Sequence, residues 1–343
     1  MAVALVTGVT GQLGFYVAEQ LTNRGDTVWG MVRQSTLGRR GSSEGSLPYR
    51  PITGDLLDEY SLLSILEEVR PASIFNFGAQ SFVPSSWTQP ILTAQYTGLG
   101  VVRLLEAARR VVPQCRVLQA GSSELFAGAD RSPQDETAAI RPLNPYGIAK
   151  AFAYHTVQSY RARYGHFATN AVFFTNESLR RSPEFLFRKV TRGVAEIAAG
   201  RSDHLSLGNL ETVRDWGYAP EYAALSIALL DAGAPDDFVI ATGVGHTVRD
   251  LVSQAFALAG LEWEKYVRVD TTLVRSSEHV PILGDSSKLR RTIGRAPEVQ
   301  AETILRIILA HDLRELGCQV SFQSPELNLV SERTSSSGSL PTV

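Results

Sequence analysis

Two residues four apart supply the clearest chemistry in this chain. In Tyr146-Gly147-Ile148-Ala149-Lys150 a phenol and an ammonium are spaced to share one face of a helix. An ammonium beside a phenol favours the phenolate, drawing a tyrosine pKa down from about 10. Such a phenolate can take a proton from a hydroxyl while hydride leaves the same carbon. The spacing is common by chance, so its meaning depends on its company. Ser122-Ser123-Glu124 follows Arg116 to Ala120, which reads as a strand. Ligands bind at the carboxyl ends of strands in open α/β sheets. The Ser122 hydroxyl can bond a reacting oxygen. Hydride transfer alone needs no carboxylate like Glu124. An elimination needs a base for a C–H proton and an acid for the departing hydroxyl, and one carboxyl can serve both in turn. The plainer alternative for Glu124 is a surface acid after a strand.

A second group sits near the N-terminus. Gly8-Val9-Thr10-Gly11-Gln12-Leu13-Gly14 follows a short apolar strand and opens a helix. Glycines there permit a tight turn and bring backbone N–H groups to a pyrophosphate at the helix N-terminus. A site for NAD places an acid about 20 positions further on, to bind the ribose 2′-hydroxyl. Here the second strand ends in Met31-Val32-Arg33, with Arg39 and Arg40 close behind. A guanidinium pairs with a 2′-phosphate, so NADP is favoured over NAD. Asp55 can accept from the adenine amino group or cap the following helix.

These groups need a frame. Val3 to Val6, Val28 to Val32, Ser73 to Phe77, Arg116 to Ala120, Thr169 to Phe174 and Phe238 to Ala241 read as strands. Residues 12–24, 59–69, 98–110 and 147–163 read as helices between them. Such alternation gives an α/β fold, a Rossmann-type doubly wound parallel sheet with a smaller C-terminal substrate-binding domain. The expected division is a dinucleotide domain over 1–174, with a later crossing segment near 212–245, then a substrate domain over 175–325. The Ser-rich stretch 326–343 is expected to be a mobile tail.

Composition narrows the classes. The chain has 343 residues, 44% hydrophobic and 20% charged, with a net charge of −2. No global field recruits nucleic acid or an anionic membrane, so an anionic ligand falls to local arginines. The two cysteines, Cys115 and Cys318, make neither a disulfide framework nor a zinc cluster. The scattered histidines show no metal-ligand spacing, and no metal is expected. The opening apolar run is too short for a signal peptide or a membrane span, which gives a cytoplasmic expectation. Trp87 and Trp216 read as packing residues, Trp87 in a segment able to line a cleft.

Several motifs together resemble one family. They are Thr7-Gly8-Val9-Thr10-Gly11-Gln12, Gly54-Asp55-Leu56, Phe75-Asn76-Phe77-Gly78-Ala79-Gln80-Ser81, Ser123-Glu124-Leu125, the Tyr146–Lys150 segment and Arg188-Lys189-Val190-Thr191. Leu207-Gly208-Asn209-Leu210, Arg214-Asp215-Trp216-Gly217 and Val239-Ile240-Ala241-Thr242-Gly243 complete the set. Over roughly residues 3–315 the chain is similar to the GDP-mannose 4,6-dehydratases.

The resemblance implies a catalytic set of Ser122, Glu124, Tyr146 and Lys150, with Ser122 where the family has threonine. It implies NADP contacts at Gly8, Thr10, Gly11, Gln12, Leu13, Gly14, Arg33, Asp55, Leu56, Phe77, Gly78, Ala79, Gln80, Ser81, Lys150, Asn176 and Arg181. It implies contacts to a GDP-linked sugar at Ser81, Ser123, Glu124, Thr175, Lys189, Arg214, Arg275 and Glu278. The loop after Arg33 resembles one that joins subunits, implying a homodimer or homotetramer. The implied reaction oxidises C4 of a nucleoside-diphosphate sugar, removes water across C5 and C6, and returns hydride to C6. Departures from the pattern gather on the substrate side. The family's Phe-Asn-His-Glu-Ser is here Phe174-Thr175-Asn176-Glu177-Ser178, and its Pro-Arg-Arg-Gly is Leu179-Arg180-Arg181-Ser182. Left open beside GDP-mannose are another sugar nucleotide such as a GDP-heptose, a reductase or epimerase on the same scaffold, and a binding protein without turnover.

Overall fold

A computed structural model describes residues 1–37, 47–273 and 280–325 of the chain. Arg39, Arg40, Arg275, Glu278 and the 326–343 tail lie outside the described residues. No helix of the described residues is long and apolar enough to cross a membrane.

The chain divides into two compact units. The first comprises Met1–Asn176, Val213–Gly245 and Ser277–Glu298. The second comprises Glu177–Thr212, His246–Ser276 and Val299–Val343. Ser277–Glu298 thus belongs with the sheet, a second returning segment that no local pattern announces.

The first unit is built on six strands in chain order, β1 (Val3–Thr7), β2 (Thr27–Val32), β3 (Arg50–Thr53), β4 (Ser73–Asn76), β5 (Arg116–Ala120) and β6 (Ala168–Phe173), with Asp237–Ile240 as the seventh. Their order in space is Asp237–Ile240, β6, β5, β4, β1, β2, β3. Every neighbouring pair is parallel. In the shared register Leu5 lies between Trp29 and Ile74. The central strands β1 and β4, buried on both faces, read as apolar runs without alternation, whereas the edge strand β3 is largely exposed. The strand order reverses between β1 and β4, where open α/β sheets hold ligands.

The helices follow their apolar spacing. Helix α1 (Gln12–Asn23) buries Gly14, Val17, Ala18 and Leu21. Val17, Ala18 and Leu21 join one cluster with Tyr222, Leu225 and Leu229 of the Ala219–Asp231 helix. Each fully buried Val or Leu side chain among them contributes about 1.5–3 kcal/mol. The Glu59–Val69 helix starts at Asp58, whose carboxylate accepts from the Tyr60 N–H. It stops at Arg70, which takes a left-handed φ of 45° before Pro71. Asp58 therefore fills the capping role that was one of two readings for Asp55.

Two differences matter for the site. The helix expected over 98–110 runs from Gly100 to Val111 and continues from a π-helical turn, Ala94–Leu99. Short helices at Val83–Thr88 and Pro90–Thr93 precede it. Trp216 is buried as expected, but Trp87 is 64% exposed and is not a packing residue. It sits on a helix of six residues with a single buried position, Ser86.

In the second unit, the Leu186–Ala198 and Ala301–Glu315 helices pack together. Between them Arg188 donates to both oxygens of the fully buried Asp312, at 2.6 and 2.5 Å. His311 and Glu315 stand near Asp312 in the manner of metal ligands, a grouping the sequence reading passed over. The carboxylate between them is already matched by a guanidinium.

Candidate active site

The glycine turn after β1 has the form its sequence promised. Gly8 takes a φ of +62°, and a Cβ there would meet the Phe77 carbonyl carbon at 2.7 Å and the Gly78 nitrogen at 2.8 Å. Only glycine lets the β1 and β4 loops approach this closely. The Gly11 N–H closes the turn on the Gly8 carbonyl at 2.9 Å. Gly11 starts α1 without a side-chain cap, the open kind of helix N-terminus that suits a pyrophosphate. The residues present therefore fit a dinucleotide. Thr10 is exposed beside them, and Leu13 packs on the apolar cluster beneath. Gln12 donates to the Asn176 backbone carbonyl at 2.9 Å and to its side-chain oxygen at 2.7 Å. Two residues read as cofactor contacts, 164 positions apart, are thus joined directly.

Arg33 is exposed at the end of β2, and Asp55 follows β3. The Asp55 carboxylate accepts from the Leu57 N–H at 2.9 Å and from the Tyr96 hydroxyl at 2.8 Å. Leu56 is buried behind them. In the loop after β4, the Gly78 N–H donates to Thr7 Oγ1 at 3.0 Å, and the Gln80 N–H to Thr97 Oγ1 at 3.3 Å. The Gln80 side-chain oxygen accepts from the Thr93 hydroxyl. Phe77 and Ala79 are half-buried in this loop, and Ser81 is exposed at its end.

The acid–base set forms at the end of β5. The Ser122 hydroxyl oxygen accepts from the Glu124 N–H at 3.2 Å and caps the short helix Ser123–Phe126. Its own proton remains available to donate. Glu124 Oε2 accepts from the Asn144 side-chain amide at 2.7 Å. Asn144 Oδ1 in turn accepts from the Gly147 N–H at 2.8 Å, capping the Pro145–Tyr164 helix. That helix carries Tyr146 and Lys150. A Cβ on Gly147 would sit 2.8 Å from the Glu124 carbonyl oxygen, so the helix start lies flush against residue 124.

Lys150 is buried, and its Nζ donates to the Ala120 carbonyl at 2.6 Å. The ammonium lies 5.7 Å from the centre of the Tyr146 ring. Burial pulls its pKa down to about 8. Behind it runs a buried polar ladder across three strands. The Thr7 hydroxyl donates to Asn76 Oδ1, the Asn76 amide to Gln119 Oε1 at 2.6 Å, and the Gln119 amide to the same Ala120 carbonyl at 2.9 Å.

Candidate substrate residues fall in both units. Arg214, in the first, donates to the Val213 carbonyl at 2.8 Å and forms a bridge with Ile282. Its neighbour Asp215, buried, accepts from the Thr242, Gly243 and Gly284 N–H groups. Thr175 is half-buried beside Asn176. In the second unit Lys189 is half-buried. Arg181 pairs with Glu177 at 3.5 Å and lies 3.5 Å over the Phe185 ring. Its guanidinium thus meets two neighbours within the second unit. Glu177 is 1% exposed, and burial pushes its carboxyl up to about 7 against the pull of Arg181 and Arg188.

Sequence reading missed Asn144, Gln119 and Tyr96. Asn144 carried a signal, since Asn before Pro marks a helix start. Nothing local connects Tyr96 with Asp55, which lies 41 positions away.

An open parallel sheet with a glycine turn at its switch point and a tyrosine–lysine helix beside β5 defines a Rossmann-type short-chain dehydrogenase/reductase scaffold. The family model described as GDP-mannose 4,6 dehydratase matches residues 5–308, and the chain belongs to that family. It is 36% identical over 339 residues to GDP-mannose 4,6 dehydratase 2 of Caenorhabditis elegans, covering 91% of this chain and 89% of that protein. In fold it is similar to a UDP-glucose 4-epimerase of Thermotoga maritima solved with UDP-glucose, with a TM-score of 0.80, 22% identity and 91% and 99% of the two chains covered. It is also similar to RMD of Pseudomonas aeruginosa complexed with NADPH, with a TM-score of 0.76, 21% identity and 92% and 100% covered.

Proposed function

We propose that this chain is a hydro-lyase that converts a nucleoside-diphosphate hexose, GDP-mannose foremost, into its 4-keto-6-deoxy form with NADP as a resident cofactor. The observation that carries this reading is the Asn144 bridge, which ties the Glu124 carboxylate to the helix bearing Tyr146 and Lys150. A reductase or epimerase has no use for a carboxylate held there. An elimination does.

The bound nicotinamide would accept hydride from C4 and return it to C6, leaving the cofactor unchanged overall. The chain's own groups handle the protons. Tyr146 takes the proton of the sugar O4, favoured by the Lys150 charge. The Ser122 hydroxyl, oriented by its cap, donates to the same oxygen. Once C4 is a ketone the C5 hydrogen is acidic, and Glu124 removes it. Glu124 then gives that proton to the departing 6-hydroxyl, so one carboxyl serves as base and acid in turn. As hydride reaches C6, C5 takes up a proton, in balance with the one Tyr146 took from O4. Arg33, at the end of β2, supports NADP through pairing with a 2′-phosphate. Membership of the GDP-mannose 4,6-dehydratase family supports a GDP-linked sugar. A dimeric or tetrameric assembly working in the cytoplasm belongs to the same reading.

The test is incubation of the purified protein with GDP-, UDP- and CDP-sugars, with and without added NADPH, followed by mass spectrometry for loss of one water. Water loss from a GDP-hexose supports the reading. Reduction that consumes added NADPH, with no water lost, refutes it.

A further inference from the structure

The adenosine end of the site holds a residue that no motif singles out. Tyr96 lies on the π-helical turn Ala94–Leu99, set between the Pro90–Thr93 and Gly100–Val111 helices. A single π turn re-aims the side chains it carries and is frequent at functional sites. The Tyr96 hydroxyl donates to Asp55 Oδ2 at 2.8 Å, while Oδ1 of the same carboxylate takes the Leu57 N–H at 2.9 Å. The guanidinium carbon of Arg33 stands 5.6 Å from the centre of the Tyr96 ring. One aromatic residue thus touches both charged groups at the ends of β2 and β3.

These charges have opposite preferences. A carboxylate beside the adenosine repels a 2′-phosphate. A guanidinium attracts that phosphate. The outcome depends on which group is presented, and the contacts of Tyr96 decide it. Its hydroxyl occupies a carboxylate oxygen and spreads the acid's charge. Its ring restricts the rotamers of an otherwise exposed arginine through a cation–π contact. Burial, with Asp55 adding to it, raises the phenol's pKa, so the hydroxyl remains a donor across the working range.

We propose that Tyr96 is a specificity-determining residue of the cofactor site, tying back Asp55 and bracing Arg33 so that a ribose bearing a 2′-phosphate is preferred to one with a free diol. This inference rests on the NADP reading above. It assigns the preference to three residues instead of to Arg33 alone.

The experiment is isothermal titration of the nucleotide-free, full-length protein with NADP+ and NAD+. Wild type is expected to bind NADP+ more tightly. Tyr96→Phe keeps the ring and removes the hydroxyl. It is expected to narrow the Kd ratio by about tenfold, the scale of one hydrogen bond to a charged group, with NADP+ binding weakened as the Asp55 charge is released toward the 2′-phosphate. Tyr96→Leu, which also removes the ring, is expected to narrow it further. In an Asp55→Asn background the Tyr96→Phe change should leave the ratio nearly unmoved, since no charge remains to tie back. A wild-type preference for NADP+ that persists in Tyr96→Phe overturns this inference and leaves the cofactor reading standing. A wild type that prefers NAD+, or binds neither, overturns the cofactor reading and this inference with it.

Discussion

Asn144 donates its side-chain amide to Glu124 at 2.7 Å while its side-chain oxygen caps the helix that presents Tyr146 and Lys150. One side chain therefore sets the distance between the carboxylate and the phenol. Neither the carboxylate nor the start of the helix can shift without breaking a hydrogen bond to Asn144. Groups that must act on adjacent carbons of one sugar need this kind of shared anchor.

The two roles of Asn144 can be separated. Asn144→Ala removes cap and brace together and is expected to cost about 1 kcal/mol, seen as a lower melting temperature. Asn144→Ser keeps a capping oxygen but cannot reach Glu124. It is expected to melt near wild type and to lose turnover by about tenfold or more, the low end of a misplaced acid–base group. A serine variant with full turnover would show that the brace has no catalytic consequence.

Substitutions at the reacting groups should split the reaction. Glu124→Gln is expected to abolish water loss while still permitting C4 oxidation, visible as transient NADPH absorbance on mixing with substrate. Tyr146→Phe should abolish both signals. Normal product from either variant would refute the assignment of roles.

Burial holds the Lys150 pKa near 8, below its ordinary value of 10.5. The ammonium loses its proton as pH rises through about 8, and with it the charge that favours the Tyr146 phenolate. The expected result is a fall in kcat/KM on the alkaline side with an apparent pKa near 8. Lys150→Arg, charged throughout, should move that limb upward even if its overall rate is low. A wild-type profile flat to pH 10 would remove Lys150 from the mechanism.

Glu177 should be visible in stability. Its carboxyl is raised from an ordinary 4.5 to about 7 in the folded chain. Between those values the folded state binds the proton that the unfolded state has released, so stability falls as pH rises across the window and levels off above about 7. Glu177→Gln keeps the shape without the buried charge. It is expected to melt higher than wild type at pH 8 and to lose that advantage near pH 4.5. A difference in melting temperature that is the same at both pH values would contradict this account.

Gly8→Ala places a Cβ against the Phe77 carbonyl carbon and forces a side chain onto a φ of +62°. The conformation alone costs about 1–2 kcal/mol. Titration with NADP+ should show lost binding, and undiminished affinity would indicate that the dinucleotide sits elsewhere.

Much of the frame was legible because its signals are local. The bounds of residues 59–69 and 116–120 follow from the chain itself, the helix ending before Pro71 and the strand filling its buried run. The glycine turn was legible for the same reason. What could not be read depends on residues far apart in the chain. Glu124 and Asn144 are 20 positions apart, Gln12 and Asn176 164. The π turn at Ala94–Leu99 leaves no periodic trace over so few residues. The return of Ser277–Glu298 to the first unit is a tertiary event with no composition shift to mark it.

The ladder through Thr7, Asn76 and Gln119 has a consequence for how this sequence can change. Its amides and hydroxyl are out of reach of water, and each satisfies the next. Exchanging a single rung for an aliphatic residue strands its neighbour's dipole in the sheet interior, at about 1–3 kcal/mol, whereas exchanging two facing rungs together can be nearly neutral. Drift at these positions is therefore expected in concerted pairs, and a library that randomises Asn76 and Gln119 jointly should yield folded combinations that neither position tolerates alone.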